Sequence, residues 1–372
     1  MTIPASTLQR HLAAPDVTLE THVRRCHVAL AEELRPRRII YLDTKYWIIL
    51  RDVVAGVRAA DQEIALLETL RALVTAGKAF CPLSESTFAE MLKQSDERIR
   101  IATAKIIDEL SMGVALIPFE ERVAMELRAF IYGQCRNLGA PEPQRLRWTK
   151  LSYVLGVMSP QQTAFDANTE LAIQKAFFDH MWSLSLSKMV DTLGGKMMPP
   201  DRHPRLAEQL NAGNAKHAGE LRSFQQTYAI EAQGAAEVYA SMAVGITRDL
   251  QKLVTGSSSS ATGDAAEAEA VRIWTKMLST ALGHEEHKSV LPSLHINTCL
   301  HASVRWNKAQ QLRANDFEDF RHACSALAYC DLFLTERRLM AMVTANHLAL
   351  DRQYDCKVAA AIPDALALLR AE

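Results

Sequence analysis

Three acidic residues stand at the junctions between apolar runs and the segments beside them. Asp43 closes IIYLD, Glu90 follows FCPLS by a few residues, and Asp319 opens a helical stretch that leads into DLFLT. In an open parallel sheet, residues at the carboxyl ends of the strands converge on one crevice. Carboxylates crowded there repel one another until a cation neutralises them, and hard oxygen donors suit Mg2+ or Mn2+. These residue types in this placement predict a divalent-metal site and metal-assisted phosphodiester chemistry. Each acid also has a plainer fit: Asp43 as the cap of a helix beginning at Thr44, Glu90 as a helix-surface charge, and Asp316 with Asp319 as charges favouring a helix amino terminus. Convergence of three separate junctions on one edge favours the site. Crowding also predicts that at least one carboxyl titrates above its ordinary range when no metal is bound.

The elements that must position these acids follow from hydrophobic periodicity. TLETHVRRCHVALAEEL predicts a leading helix, and IIYLD is short, β-branched and apolar, as in a strand buried on both faces. A helix through about Arg58, a helix over 62–77, the strand AFCPLS, one or two helices over 86–110 and the strand VALIP complete an alternation that predicts a parallel doubly wound sheet. From about Val123 the pattern turns helical, with LSYVLGVMS, NTELAIQKAFFDHMWSLSLSKMV and the run from LRSFQQ to LQKL as the clearest segments. GSSSSATGDAAEAEA reads as a flexible loop. The α/β pattern returns with DFEDFRHACSALAYC, DLFLT, ERRLMAMVTA, CKVAAA and IPDALALLRA. The expected organisation is an N-terminal helical segment (1–36), an α/β domain in two parts (37–122 and 296–372), and a large all-helical insertion (123–295).

Composition narrows the function classes. At 372 residues the chain exceeds what one core usually holds, and its 48% hydrophobic and 23% charged residues are those of an ordinary globular protein. A net charge of −1 gives no bulk attraction to nucleic acid, so any basic binding surface must be local. Seven cysteines without a CxxC pair read as reduced core residues, and no secretory signal or membrane-spanning run is visible, so a cytoplasmic location is expected. There is no Walker or GxGxxG sequence, and Cys81, Ser84 and Ser86 lack a nucleophile motif.

Taken together, LDTKYW, SESTFAEML and DFRHACSALAYCDLFLTERR resemble the PIN-domain ribonuclease family over roughly 38–120 and 312–372. The resemblance implies a PIN-like three-layer α/β/α domain with a parallel central sheet, interrupted here by the helical insertion. It implies an Mg2+- or Mn2+-dependent endoribonuclease in which Asp43, Glu90 and Asp319 are the principal acids and Thr335 orients one of them. Arg337 stands where the family's fourth acid usually falls, leaving Asp331 or Glu336 to complete the metal shell. Lys45 replaces the common Asn or Ser. The implied substrate is single-stranded RNA. A catalytically inactive PIN-like module that binds nucleic acid or regulates is the alternative, and a homodimer or a regulatory protein partner is compatible with either.

Phosphate contacts are expected from Lys45, Arg305, Lys308, Arg313, Arg337 and Arg338, with Arg98, Arg100 and Lys105 beyond Glu90 as a further set. Trp148, between Arg147 and Lys150, could stack on an unpaired base or belong to the core. His284, His287, His295, Cys299 and His301 invite a zinc reading, but HxxH lacks the HExxH spacing and Pro292 breaks the segment, which favours solvated or capping histidines.

Overall fold

The computed structural model describes all residues except 1–4, 135–141, 194–202, 220, 257–262 and 372. Cys135 and the serine-rich part of the expected loop lie outside the described residues, whereas Asp264 onward, read as loop, is the start of the helix Asp264–Leu282.

Four strands build one parallel sheet: β1 (Arg38–Leu42), β2 (Ala79–Phe80), β5 (Leu332–Leu334) and β6 (Lys357–Ala359), in the order β2-β1-β5-β6. The remaining two, β3 (Val114–Leu116) and β4 (Trp148–Lys150), pair antiparallel with each other. VALIP therefore forms its strand but joins the main sheet only through a parallel bridge between Ala115 and Leu83. The molecule is mixed α/β and mostly helical, with this small parallel sheet inside.

Side-chain alternation along the strands splits the core in two. Ile40, Leu42, Leu332 and Leu334 face a cluster made with Trp47, Leu50, Leu66, Leu70, Ile107 and Leu366. Ile39, Tyr41 and Phe333 face the other cluster, which runs on into the helices Phe119–Gly133, Phe224–Thr255, Asp264–Leu282 and Pro292–Trp306. The helical run thus shares its core with one sheet face. Ala232, Ala236, Ala240 and Ala243 recur at helical spacing along Phe224–Thr255 and are buried, the small-residue pattern that allows close helix packing.

The run is not all-helical. QRLRWTK contains β4, and Trp148 is buried there against Phe80, so it belongs to the core and offers no face to a base. LSYVLGVMS supplies only a 3-10 turn, Leu151–Tyr153, directly after β4, and its later residues Leu155 and Met158 are exposed. Among the described residues, no helix is long and apolar enough to cross a membrane.

Candidate active site

Asp43 leaves β1 at its carboxyl end, where its backbone N–H donates to Leu334 and continues the ladder with β5. It also caps the helix Thr44–Val54: Oδ1 accepts from the Lys45 N–H at 2.9 Å. The cap and site readings therefore coincide, because only one oxygen is used for the cap. The other accepts the Thr335 hydroxyl at 2.7 Å from the carboxyl end of β5. Burial raises the Asp43 carboxyl above its ordinary range, and Glu336 adds to this against the lowering by His322, Thr335 and the Lys45 amide.

Glu90 comes from the helix Glu85–Leu92, whose start is fixed by Ser84 accepting from the Thr87 N–H. Its Oε2 accepts the Thr44 hydroxyl and lies 3.1 Å from His322 Nε2. Burial opposes ionisation of Glu90, but His322, Thr44 and Lys93 outweigh it and hold the carboxyl below its usual value. Asp319 is in the first turn of the helix Asp316–Tyr329. Its carboxyl is pushed up to about 7, by burial first and then by the charges of Asp316, Asp43 and Glu336, with His322 pulling the other way. Glu336 precedes the helix Arg337–Val343, and its exposed side chain makes no capping hydrogen bond. The four carboxylates of Asp43, Glu90, Asp319 and Glu336 thus act on one locale at the carboxyl edge of the sheet.

His322 occupies the middle of that locale and was missed in the sequence. It is fully enclosed; Nε2 meets Glu90 and Nδ1 lies 2.7 Å from the Tyr41 hydroxyl, which is 2.6 Å from Ser84 Oγ. Burial alone would lower its pKa, but Tyr41, Glu90 and Asp43 raise it well above the ordinary value. With both nitrogens protonated, the imidazolium donates to Glu90 and to the Tyr41 oxygen, and Tyr41 donates to Ser84. A signal existed: His322 is three residues after Asp319, on the same helix face.

Asp331 does not join the cluster. It immediately precedes β5, so it sits at the amino edge, where its Oδ2 accepts the Ile39 N–H at 2.7 Å and its carbonyl accepts from the Lys357 N–H. Parallel register sends the start and end of DLFLT to opposite edges, roughly 13 Å apart for four strand residues. Of the two substitutes for the fourth acid, the structure brings Glu336 to the site.

The expected phosphate cations divide in the same way. Lys45 is at the site edge, its Nζ 3.4 Å from the Ala360 carbonyl, and Arg313, Lys308 and Arg337 are exposed. Arg338 is instead locked onto buried Asp316, with its two guanidinium nitrogens 2.5 and 2.9 Å from the carboxylate. Arg305 is bound by Glu231 at 2.6 Å, and buried Arg100 donates to the carbonyls of Gln94 and Ser95. Those three cations serve the fold, since each is already held by a partner and Arg100 is buried as well. Arg98 and Lys105 are exposed on the helix Glu97–Ser111. The histidine-rich stretch is spread over separate partners: His295 meets Tyr354 and Cys299, His301 packs on Phe320, and His287 on Phe130.

The carboxyls of Asp43 and Asp319 are raised by burial first and then, against His322, by the neighbouring acids; among the described residues, the ligand atoms of these acids do not close to within 4.8 Å of one another as a group of three. No family model, curated protein or solved structure matches this chain. Its functional reading rests on these residues.

Proposed function

We propose that this chain is a metal-dependent endonuclease of the PIN-like class that hydrolyses phosphodiester bonds in single-stranded RNA. The observation that carries the reading is that Asp43, Asp319 and Glu336, from separate chain segments at the carboxyl edge of a parallel sheet, lie near enough for their charges to add to the burial that raises the Asp319 carboxyl to about 7, while Glu90 is tied to the same place through His322. Asp43, Asp319 and Glu336 would hold Mg2+ or Mn2+, with Glu90 completing the set. When bound, such an ion polarises the scissile phosphate and lowers the pKa of a water.

The chain's own residues supply orientation. Thr335 and the Lys45 amide fix both oxygens of Asp43, and His322 together with Thr44 fixes Glu90, so two of the four acids are preorganised. The deprotonated form of Asp319 would be the one that binds a cation. Lys45, Arg313 and Arg337 would meet the phosphates of the strand. The all-enclosed Trp148 contributes nothing to base stacking, so the 2′-OH discrimination that separates RNA from DNA would be made by other groups.

A second reading has one observation behind it: the His322 imidazolium already supplies a positive charge among the carboxylates, and Arg337 follows Glu336, features that suit a PIN-like module that binds nucleic acid without cutting it. Labelled single-stranded RNA and DNA of one sequence, incubated with Mn2+ and either wild type or Asp43→Asn, separate the readings. Wild-type cleavage of RNA, abolished by Asp43→Asn, supports the nuclease. Binding without cleavage by both proteins supports the module, and cleavage by both removes Asp43 from the reaction.

A further inference from the structure

A second group of donors lies in a different part of the fold, on three helices that take no part in the acidic cluster. His11 is in the last turn of the helix Ala5–Leu12, His22 is in the first turn of Leu19–Leu34, and Asp179 is on Ala167–Trp182. One ligand atom from each lies within 4.8 Å of the other two. His11 Nε2 is 2.8 Å from Asp179 Oδ2, and His22 Nε2 is 2.7 Å from Oδ1, so the two imidazoles address different oxygens of one carboxylate. The two rings meet edge to face at 4.9 Å, and Phe178 closes against His22.

The surroundings suit an ion. The His11 side chain is 7% exposed and the Asp179 side chain 21%, and Phe178, stacked on Tyr153, gives the group an apolar wall. Cys26 follows His22 by one helical turn on the same helix. Arg10 also contacts Asp179 Oδ2, at 2.6 Å, but its side chain is 66% exposed and approaches from the solvent side.

We propose that His11, His22 and Asp179 form a transition-metal site that takes a zinc-like ion, with water in the fourth position, between the two N-terminal helices and the Ala167–Trp182 helix. Two imidazole nitrogens and a carboxylate oxygen are donors that suit Zn2+, and such a set differs in kind from the all-oxygen cluster at the sheet edge. Zn–N distances of about 2.0–2.1 Å place tetrahedral ligand atoms roughly 3.3 Å apart. The present separations need to open by about half an ångström, which side-chain rotation supplies. The ion would replace the hydrogen atoms now shared between imidazole and carboxylate. It would also tie down an amino-terminal helix of 8 residues, too short to persist by itself, to a segment far along the chain.

Co2+ added to chelator-treated, full-length protein is the test, read by visible absorption and by metal content. Tetrahedral d–d bands that saturate at one equivalent of Co2+, counted apart from any ion held at the sheet edge, are expected, displaced by Zn2+, unchanged in Asp43→Asn and lost in both His22→Gln and Asp179→Asn. Arg10→Ala should tighten binding several-fold, because it removes a competing cation, and it leaves the packed side chains in place if a ligand variant fails to fold. Absence of tetrahedral bands in the wild type, or equal bands in the two ligand variants, overturns the site and leaves a hydrogen-bonded His-Asp-His cluster. Loss of the bands in Asp43→Asn would instead assign the ion to the sheet edge and overturn it as well.

Discussion

Two carboxyls in this molecule, Asp319 at the sheet edge and Glu126 in the helical core, are both pushed up to about 7 by burial, yet their company is opposite. Glu126, on the helix Phe119–Gly133, is 1% exposed and receives the Ser293 N–H at 3.0 Å, the Ser293 hydroxyl at 2.6 Å and the Tyr329 hydroxyl, with Arg122 nearby. Every neighbour there stabilises its anion. Asp319 faces Asp316, Asp43 and Glu336, which destabilise its anion, and only His322 relieves it. A shifted titration is therefore no mark of function by itself; an acid shifted by other acids has room for a cation, whereas one surrounded by donors is already satisfied.

The sharpest way to break this comparison is activity. Asp319→Asn and Asp43→Asn should each lower Mn2+-dependent RNA cleavage by about 10²–10³-fold, the scale of losing one preorganised electrostatic group, whereas Tyr329→Phe beside Glu126 should leave the rate per folded molecule unchanged. Equal losses on both sides would show that the two regions are not functionally distinct.

Stability should respond the other way round. Glu126→Ala leaves the Ser293 and Tyr329 donors buried without an acceptor and opens a cavity, so unfolding in urea should show a loss of about 3 kcal/mol. Metal should act on only one region: at 100 times its Kd, Mn2+ should stabilise the wild type by about 2.7 kcal/mol and Asp43→Asn by little. A shift of the same size in Asp43→Asn would place the ion elsewhere.

The smallest effect sharpens the electrostatic half of the argument. The Asp319 carboxyl rises from 3.8 to about 7, so between those values the folded state holds more protons than the unfolded state. Stability of the metal-free protein then falls as pH rises through that window, because the unfolded state loses its proton first. Asp319→Asn removes this penalty and should stabilise the metal-free protein by about 2 kcal/mol at pH 8, with no gain at pH 4. For the same reason Mn2+ affinity of the wild type should climb towards pH 7 and level off above it. A pH-independent affinity would mean that Asp319 is not a ligand.

Much of the frame was legible from local chemistry. The alternation of short apolar runs with periodic helices located β1, β2, β5 and β6 and their parallel pairing, since strands buried on both faces have a composition few other segments share. Acids at strand ends were legible for the same reason. The strand containing Trp148 was not, because three residues that gain their partner from Val114–Leu116 carry no period long enough to read. The basic residues were also over-read: Arg100, Arg305 and Arg338 look like any surface cation until their partners Gln94, Glu231 and Asp316 are placed beside them.

The sequence by itself determined the four strands of the parallel sheet and that carboxylates stand beside their ends, because burial and backbone geometry are encoded residue by residue. Only the tertiary structure decided between Glu336 and Asp331, put His322 at the centre of the acids, and brought His11 and His22 to Asp179. Those outcomes depend on strand register and on which helix faces meet, quantities fixed by the packing of the whole chain and by no single stretch of it.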